Sequence, residues 1–203
     1  MTDHNDQSQP PAIRIGHGYD IHRPATPADG GRPLITGGVH RLEPPPPSGN
    51  GRPFILGGVR FEHDRGPVGH SDGDALLHAV TDAILGALAL PDIGERFPNT
   101  SKENEGRDSE HFIADAVRTA HEHGYAVSNL DCTVILEKPP LKPLKNLVKN
   151  NLIRLTGARR DCVNVKGKTH EGLDSLGENR AIEAHAVVIL TRKTVSPHPD
   201  PGQ

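Results

Sequence analysis

The stretch GHGYDIHRP, Gly16 to Pro24, places Asp20 and His22 two residues apart. In a β-strand, residues two apart face the same side, so this pair presents a carboxylate oxygen next to an imidazole nitrogen. A catalytic zinc site takes three such protein ligands and leaves the fourth position open. For an isolated pair a solvated strand end is the commoner reading, and the third ligand has to come from elsewhere. Asp74, His78 and Asp82 recur every four residues in SDGDALLHAVTDAILGALAL, on one face of a segment otherwise rich in Ala, Leu and Ile. Such a helix is expected to be buried, and buried polar groups need partners. A lone histidine there is more often a hydrogen-bonded core residue. With Asp20 and His22 two thirds of a site, His78 completes an Asp-His-His set, and a carboxylate such as Asp82 could hold its spare ring N–H. A second polar cluster, NVKGKTHEGLDSLGEN, carries Lys166, Lys168, Thr169, His170 and Glu171 in a Gly-containing loop. A lysine, a hydroxyl and a carboxylate together suit a phosphorylated ligand with a hard cation such as Mg²⁺. Alone, that loop reads equally well as solvated.

The elements that must position these groups are legible in the periodicity. Residues 71–90 read as a helix with Ser71 or Asp72 as N-cap and Pro91 as stop. DSEHFIADAVRTAHEHG is a second helix, capped by Asp108 or Ser109 and closed by Gly124, with His121 and His123 at its cationic-preferring end. AVSNLDCTVIL is a strand ending at Pro139-Pro140. LKPLKNLVKNNLIRLTG is a third helix with Leu144, Leu147, Val148, Leu152 and Leu155 on one face. CVNVKGK and AIEAHAVVILTRK are strands, and Ile182, Ala184, Ala186, Val188 and Leu190 of the latter share one face. Ten of the 19 prolines lie within residues 1–53, which sets this quarter apart. It contains a near-repeat, GRPLITGGV at 31–39 and GRPFILGGV at 51–59, each a strand, a Gly-Gly turn and a return strand. Four consecutive prolines between the copies must be extended. Two copies are too few for a solenoid, so a duplicated hairpin is expected. The predicted fold class is α/β, an α+β sandwich with helices packed on one face of a mixed sheet and an early β-hairpin. One domain over 13–192 is expected, with an insertion at about 24–52 and disordered tails at 1–12 and 193–203.

Composition narrows the partners. A net charge of −3 and 3% aromatics argue against nucleic acid, and no apolar run reaches membrane length. Cys132 and Cys162 are too few for a disulfide framework and lie in strand-like runs, so buried inert thiols are expected. The N-terminal segment MTDHNDQSQPP has neither a basic n-region nor an apolar h-region, and it is acidic and Arg-poor. A cytoplasmic protein is the expectation.

Four segments, RIGHGYDIH, GHSDGDALLHAVTDAILGALALPDIGERFPNT, GYAVSNLDCTVIL and VNVKGKTHEGLDSLGEN, occur in this order. Together they resemble the 2-C-methyl-D-erythritol 2,4-cyclodiphosphate synthase family, from about Arg14 to about Arg192 with only the insertion intervening. The resemblance implies a homotrimer with active sites between neighbouring subunits. It implies cyclisation of a cytidine-diphosphate-linked methylerythritol 2-phosphate with release of CMP. Carried over by motif, Asp20, His22 and His78 would ligate Zn²⁺, and Glu171 would hold a second ion, Mg²⁺ or Mn²⁺. His70 and Ser71 would meet the substrate phosphates, with His70 and Thr169 at the reacting centre. Asp92, Ile93 and Gly94, with Phe97, Pro98 and Asn99, would hold the methylerythritol part. Leu136, Glu137, Lys138, Pro139, Pro140, Leu141 and Lys142, together with Lys168 and His170, would cradle the cytidine diphosphate moiety from the adjacent subunit. The chemistry agrees, because two anionic phosphates must meet and cations supply most of what is needed.

Three departures from the commoner bacterial pattern stand out. KGKTHEGLDSLGEN replaces a Thr-rich loop followed by GFTGR and is closer to a plant-like variant. LEKPPLKP has Pro140 where a lysine usually follows a proline, which leaves the base contacts open. The hairpin is duplicated. Two other readings are a nucleotide- and metal-binding protein without turnover, which loss of any of Asp20, His22, His78 or Glu171 would favour, and a zinc phosphohydrolase.

Overall fold

Exposed and inward-facing residues alternate along strand β1 (Ile13–His22), as the two-residue period demands. Gly16, Gly18, Asp20 and His22 all face inward. The structure, a computed structural model, describes residues 10–24, 53–63, 66, 72–98 and 108–193. The first hairpin copy at 31–39, its polyproline connector, and the tails at 1–9 and 194–203 lie outside the described residues. The second copy forms the expected hairpin, β2 (Phe54–Leu56) and β3 (Val59–Phe61), around left-handed Gly57 and Gly58. Helix α1 (Ala75–Ala87) and the short α2 (Ile93–Arg96) follow, then α3 (Ser109–Glu122) and β4 (Tyr125–Ile135). Next come α4 (Lys145–Thr156), β5 (Val163–Lys168), the single turn α5 (Asp174–Gly177) and β6 (Ile182–Arg192).

β1, β6, β4 and β5 form one mixed sheet in that order, with β4–β5 the parallel pair. The helices cover one face. Ile182, Ala184, Ala186, Val188 and Leu190 of β6 are buried beneath them, as their spacing predicts. α1 is buried nearly all round, which explains its uniform apolarity. Its approach to β1 is set by two glycines. A Cβ at Gly18 would lie 1.9 Å from the Ala79 carbonyl oxygen, and one at Gly16 1.8 Å from that of Ala83. Helix and strand backbones therefore touch, and His78, next to Ala79, is brought over Asp20 and His22.

Several expectations need correction. The N-cap of α1 is Asp74, not Ser71 or Asp72, and its carboxylate also accepts N–H bonds from Gly57 at 2.8 Å and Gly58 at 2.6 Å. One side chain thus caps the helix and anchors the hairpin turn. Burial and the neighbouring Asp72 push its carboxyl up to about 6 against the pull of those N–H groups. On α4, Val148 and Leu152 are buried but Leu147 is 53% exposed, because the buried stripe turns toward Thr156 instead. Cys132 is buried, its thiol pushed up to about 12 by desolvation, whereas Cys162 lies half-buried in a 3₁₀ turn (Arg160–Cys162) before β5. His123 caps α3 and pairs with the Thr119 carbonyl at 2.8 Å, the structural role expected of it.

Candidate metal centre and substrate site

Three ligand-type atoms from Asp20, His22 and His78 lie within 4.8 Å of one another. His22 Nδ1 and His78 Nδ1 each stand 3.0 Å from Asp20 Oδ2, and the two rings are 5.2 Å apart. His22 Nδ1 is buried, and the Asp20 carboxylate at 3.0 Å is the charged group it faces. Two imidazole nitrogens and a carboxylate oxygen this close are the donor set of a three-ligand zinc site. The residues fit a divalent cation. Burial raises the Asp20 carboxyl, but His22 and His78 outweigh it and hold it below its ordinary range. Burial lowers His78, and Asp20, with Asp74 and Asp72, outweighs that and raises it. Each group thus favours the charged form of its neighbour.

The sequence offered a carboxylate such as Asp82 for the spare nitrogen of His78, and the structure puts another group there. His78 Nε2 faces Ser109 Oγ at 2.9 Å. Asp82 instead accepts the Ile93 N–H at 2.8 Å, fixing the start of α2 against α1. Asp92 caps α2 by accepting the Glu95 N–H at 2.9 Å, and Gly94 lies within that turn. The Phe97 ring packs on Phe112 at 4.8 Å, and Phe112 lies 5.9 Å from His78. Asp92, Ile93, Gly94 and Phe97 are thereby tied to the metal helix; Pro98 follows and is exposed. His70, Ser71 and Asn99 lie outside the described residues.

A second cluster forms where β4 and β5 end. Leu136 N–H donates to the Lys168 carbonyl at 3.0 Å, and His170 N–H donates to Glu137 Oε1 at 2.7 Å. The Lys138–Pro139 bond is cis, Pro140 and Lys142 are exposed, and Leu141 is buried against Gly167. Thr169 Oγ1 donates to Glu171 Oε1 at 2.8 Å, and Glu171 itself is left-handed at φ 53°. Non-glycine residues held there cost energy and concentrate at functional sites. The segments 136–142 and 168–171 are thus one surface, as their assignment to one ligand requires. Register places His22 opposite Ile182, Ile135 opposite Glu183, and Lys168 opposite Ile135. The metal group and this loop cluster therefore share one end of the sheet but occupy opposite lateral edges, about 14 Å apart at ordinary strand spacing. Glu171 is not part of the Asp20-His22-His78 group.

The YgbB family profile matches residues 13–191. The chain belongs to the YgbB family. It is 49% identical over 187 residues to the chloroplastic 2-C-methyl-D-erythritol 2,4-cyclodiphosphate synthase of Oryza sativa subsp. japonica, covering 91% of this chain and 73% of the rice protein. The synthase of Rhodopirellula baltica is 40% identical over 187 residues, 92% of this chain and 98% of its own. Among solved structures, IspF of Plasmodium falciparum in complex with CDP superposes with a TM-score of 0.70 at 31% identity, covering 90% of this chain and 98% of that one. The YgbB-family membership agrees with the motif resemblance. The higher identity to the plant protein also fits the plant-like KGKTHEGLDSLGEN loop.

The signals missed by sequence reasoning are specific. Gly16 and Gly18 alternate in register with Asp20 and His22, a period-two pattern that marks a strand face approached by another backbone. Ser109 and Asp72 were read only as caps, because nothing local indicates that they meet across 37 residues.

Proposed function

We propose that the protein closes 4-diphosphocytidyl-2-C-methyl-D-erythritol 2-phosphate to 2-C-methyl-D-erythritol 2,4-cyclodiphosphate with release of CMP, in the non-mevalonate isoprenoid pathway. It is an enzyme of the phosphorus–oxygen lyase class. The observation that carries this reading is the convergence of Asp20, His22 and His78 within 4.8 Å, in a YgbB-family chain whose solved relatives include CDP complexes.

An oxygen of the 2-phosphate bonds to the β-phosphorus, the bond from that phosphorus to the bridging oxygen breaks, and CMP leaves carrying the bridging oxygen. Zn²⁺ held by Asp20, His22 and His78, and Mg²⁺ or Mn²⁺ held by Glu171, supply charge neutralisation to the phosphate oxygens when bound. The chain's own groups bind and orient. His70 and Ser71 receive the phosphates. Asp92, Ile93, Gly94, Phe97, Pro98 and Asn99 hold the methylerythritol part, and the anchoring of α2 by Asp82 supports their placement. Leu136 to Lys142, with Lys168 and His170, cradle the nucleotide. Thr169 stands beside Glu171 and assists at the reacting phosphorus.

The two clusters at opposite edges of one sheet end favour a closed ring, in which the nucleotide cluster of one subunit meets the metal group of the next. A homotrimer fits, and the outer sheet face supports it. Ile13, Ile15, Tyr19, Ile21 and Val187 are exposed there, a patch that water-facing sheets rarely keep bare. A cytoplasmic location for the domain over 13–192 is part of this proposal; among the described residues no helix is long and apolar enough to cross a membrane.

The deciding experiment is ³¹P NMR of the purified protein with the cytidine-linked substrate and Mg²⁺. Cyclic diphosphate and CMP should appear in equal amounts. Inorganic phosphate would indicate a phosphohydrolase, and tight binding without turnover a nucleotide-binding protein.

A further inference from the structure

β4 and β5 run parallel, and the Leu136 N–H, donating to the Lys168 carbonyl at 3.0 Å, continues their ladder just past the end of β4. One further rung of a parallel ladder would carry the His170 N–H to the Leu136 carbonyl. That N–H donates instead to Oε1 of the Glu137 side chain at 2.7 Å. A carboxylate has taken the place of a main-chain acceptor, where residues 136–142 leave β4 and residues 168–171 leave β5. What it holds is a strained loop. Glu171, Gly172 and Asp174 all have positive φ, at 53°, 79° and 55°. For the two that are not glycine this costs energy and persists only where the surroundings enforce it. The enforcing contacts converge on His170. Its N–H goes to Glu137, its carbonyl accepts the Leu173 N–H at 2.8 Å, and its ring Nδ1 faces the Asp174 carboxylate at 3.0 Å. Of these three, the bond to Glu137 alone reaches across to the β4 side.

We propose that Glu137 is a positioning residue, which ties the loop of Thr169, His170 and Glu171 to the segment 136–142 and so sets the shape of the nucleotide cradle through His170. The inference rests on the reading of these two segments as a nucleotide site. A carboxylate oxygen makes a charge-assisted bond to a backbone N–H, stronger than the neutral rung it replaces. Glu137 and His170 are both half-buried, so water competes with that bond only in part. With the two arms already fixed, a ligand that bridges them loses no affinity to ordering the loop. The same loop carries the contact of Thr169 Oγ1 with Glu171 Oε1 at 2.8 Å. One side chain therefore sets the base-holding arm and the arm assigned to the reacting phosphorus relative to each other.

The test uses the full chain and CDP, the ligand in the solved Plasmodium falciparum complex. Glu137→Ala removes the acceptor, and Glu137→Gln keeps one in its side-chain carbonyl. In the ligand-free parent the His170 amide should be protected from hydrogen exchange, and in Glu137→Ala it should exchange about 10-fold faster. CDP affinity, measured by calorimetry with Mg²⁺, should fall about 10-fold in Glu137→Ala, and Glu137→Gln should recover most of both losses. Thermal melts check that the variants fold, and Glu137→Ser, too short to reach His170, takes the place of Glu137→Ala if that chain does not. Undiminished CDP affinity in the folded variant would overturn the proposal. Weaker CDP binding with unchanged His170 exchange would overturn it too, because Glu137 would then act by touching the nucleotide. So would a Glu137→Gln chain as impaired as Glu137→Ala, since the charge rather than the bond would be what matters. A parent that binds no CDP would overturn the nucleotide reading and this role with it, a result seen before any variant is made.

Discussion

Asp115 joins α2 to α3: Arg96 Nε donates to its Oδ2 at 2.7 Å, and Arg118 donates to Oδ1. Burial alone would raise this carboxyl, but Arg96 and Arg118 outweigh burial and hold it below its ordinary 3.8. The unfolded chain therefore takes up this proton at a higher pH than the folded one. The stabilisation is complete above the ordinary value and is lost as pH falls below it through the folded value. Asp115→Asn should lower stability by about 1 kcal/mol at neutral pH, since the cluster is partly solvated. Thermal melts across pH should show the gap between variant and parent closing below roughly pH 4. A gap that persists undiminished into acid would assign the effect to packing. Arg96 also donates to Thr119 of α3 at 2.8 Å, so α2, with Asp92 as its cap, is held at both ends, through Arg96 to α3 and through the Ile93 N–H to Asp82 of α1.

At the scale of elements, the metal group exists because a helix backbone lies directly on a strand. Gly18→Ala would put a methyl 1.9 Å from the Ala79 carbonyl oxygen and 2.7 Å from the Ala83 nitrogen. Both contacts are backbone, so the whole of α1 must retreat. We expect about 3 kcal/mol of destabilisation and loss of stoichiometric metal, read by thermal unfolding and elemental analysis. Unchanged metal content would mean that His78 reaches Asp20 without this close approach. The hairpin is held as firmly. Its turn is gripped by Asp74 from α1 and by Asn151 from α4, whose Nδ2 donates to the Gly57 carbonyl at 2.8 Å. Phe54, Leu56 and Phe61 of this hairpin are part of the core, and loop-closure cost grows only slowly with loop length. Replacing Ala28 to Asn50 by a short Gly/Ser linker should therefore leave a folded, zinc-loaded, active trimer. A variant that is monomeric or cannot bind zinc would show that the first copy is needed.

For the molecule as a whole, the outer face of β1 and β6 is the feature that assembly must explain. Ile13 is 60% and Ile15 68% exposed, and Tyr19 and Val187 stand on the same face. Ile15→Glu adds a charge to that face without touching the helices. If the proposed ring assembly holds, sedimentation should show dissociation to monomers that retain metal, with turnover lost because the site shared between neighbouring chains is no longer completed. A fully active monomer would remove the need for a shared site.

Residue periodicity along β1, α1 and β6 was enough to place Asp20, His22 and His78 on element faces, and four ordered motifs were enough to reach the family. Local pattern could do this because a strand's period of two and a helix's of 3.6 fix which side a residue takes. It could not choose which polar group meets which across the fold. Asp74 and Asp82, spaced four from His78 on either side, read as its companions. Tertiary packing sent Asp74 to the hairpin turn and Asp82 to α2, and brought Ser109 from 31 residues away to the ring of His78. A buried polar atom takes whichever partner packing delivers within about 3 Å. Sequence spacing carries no record of that distance.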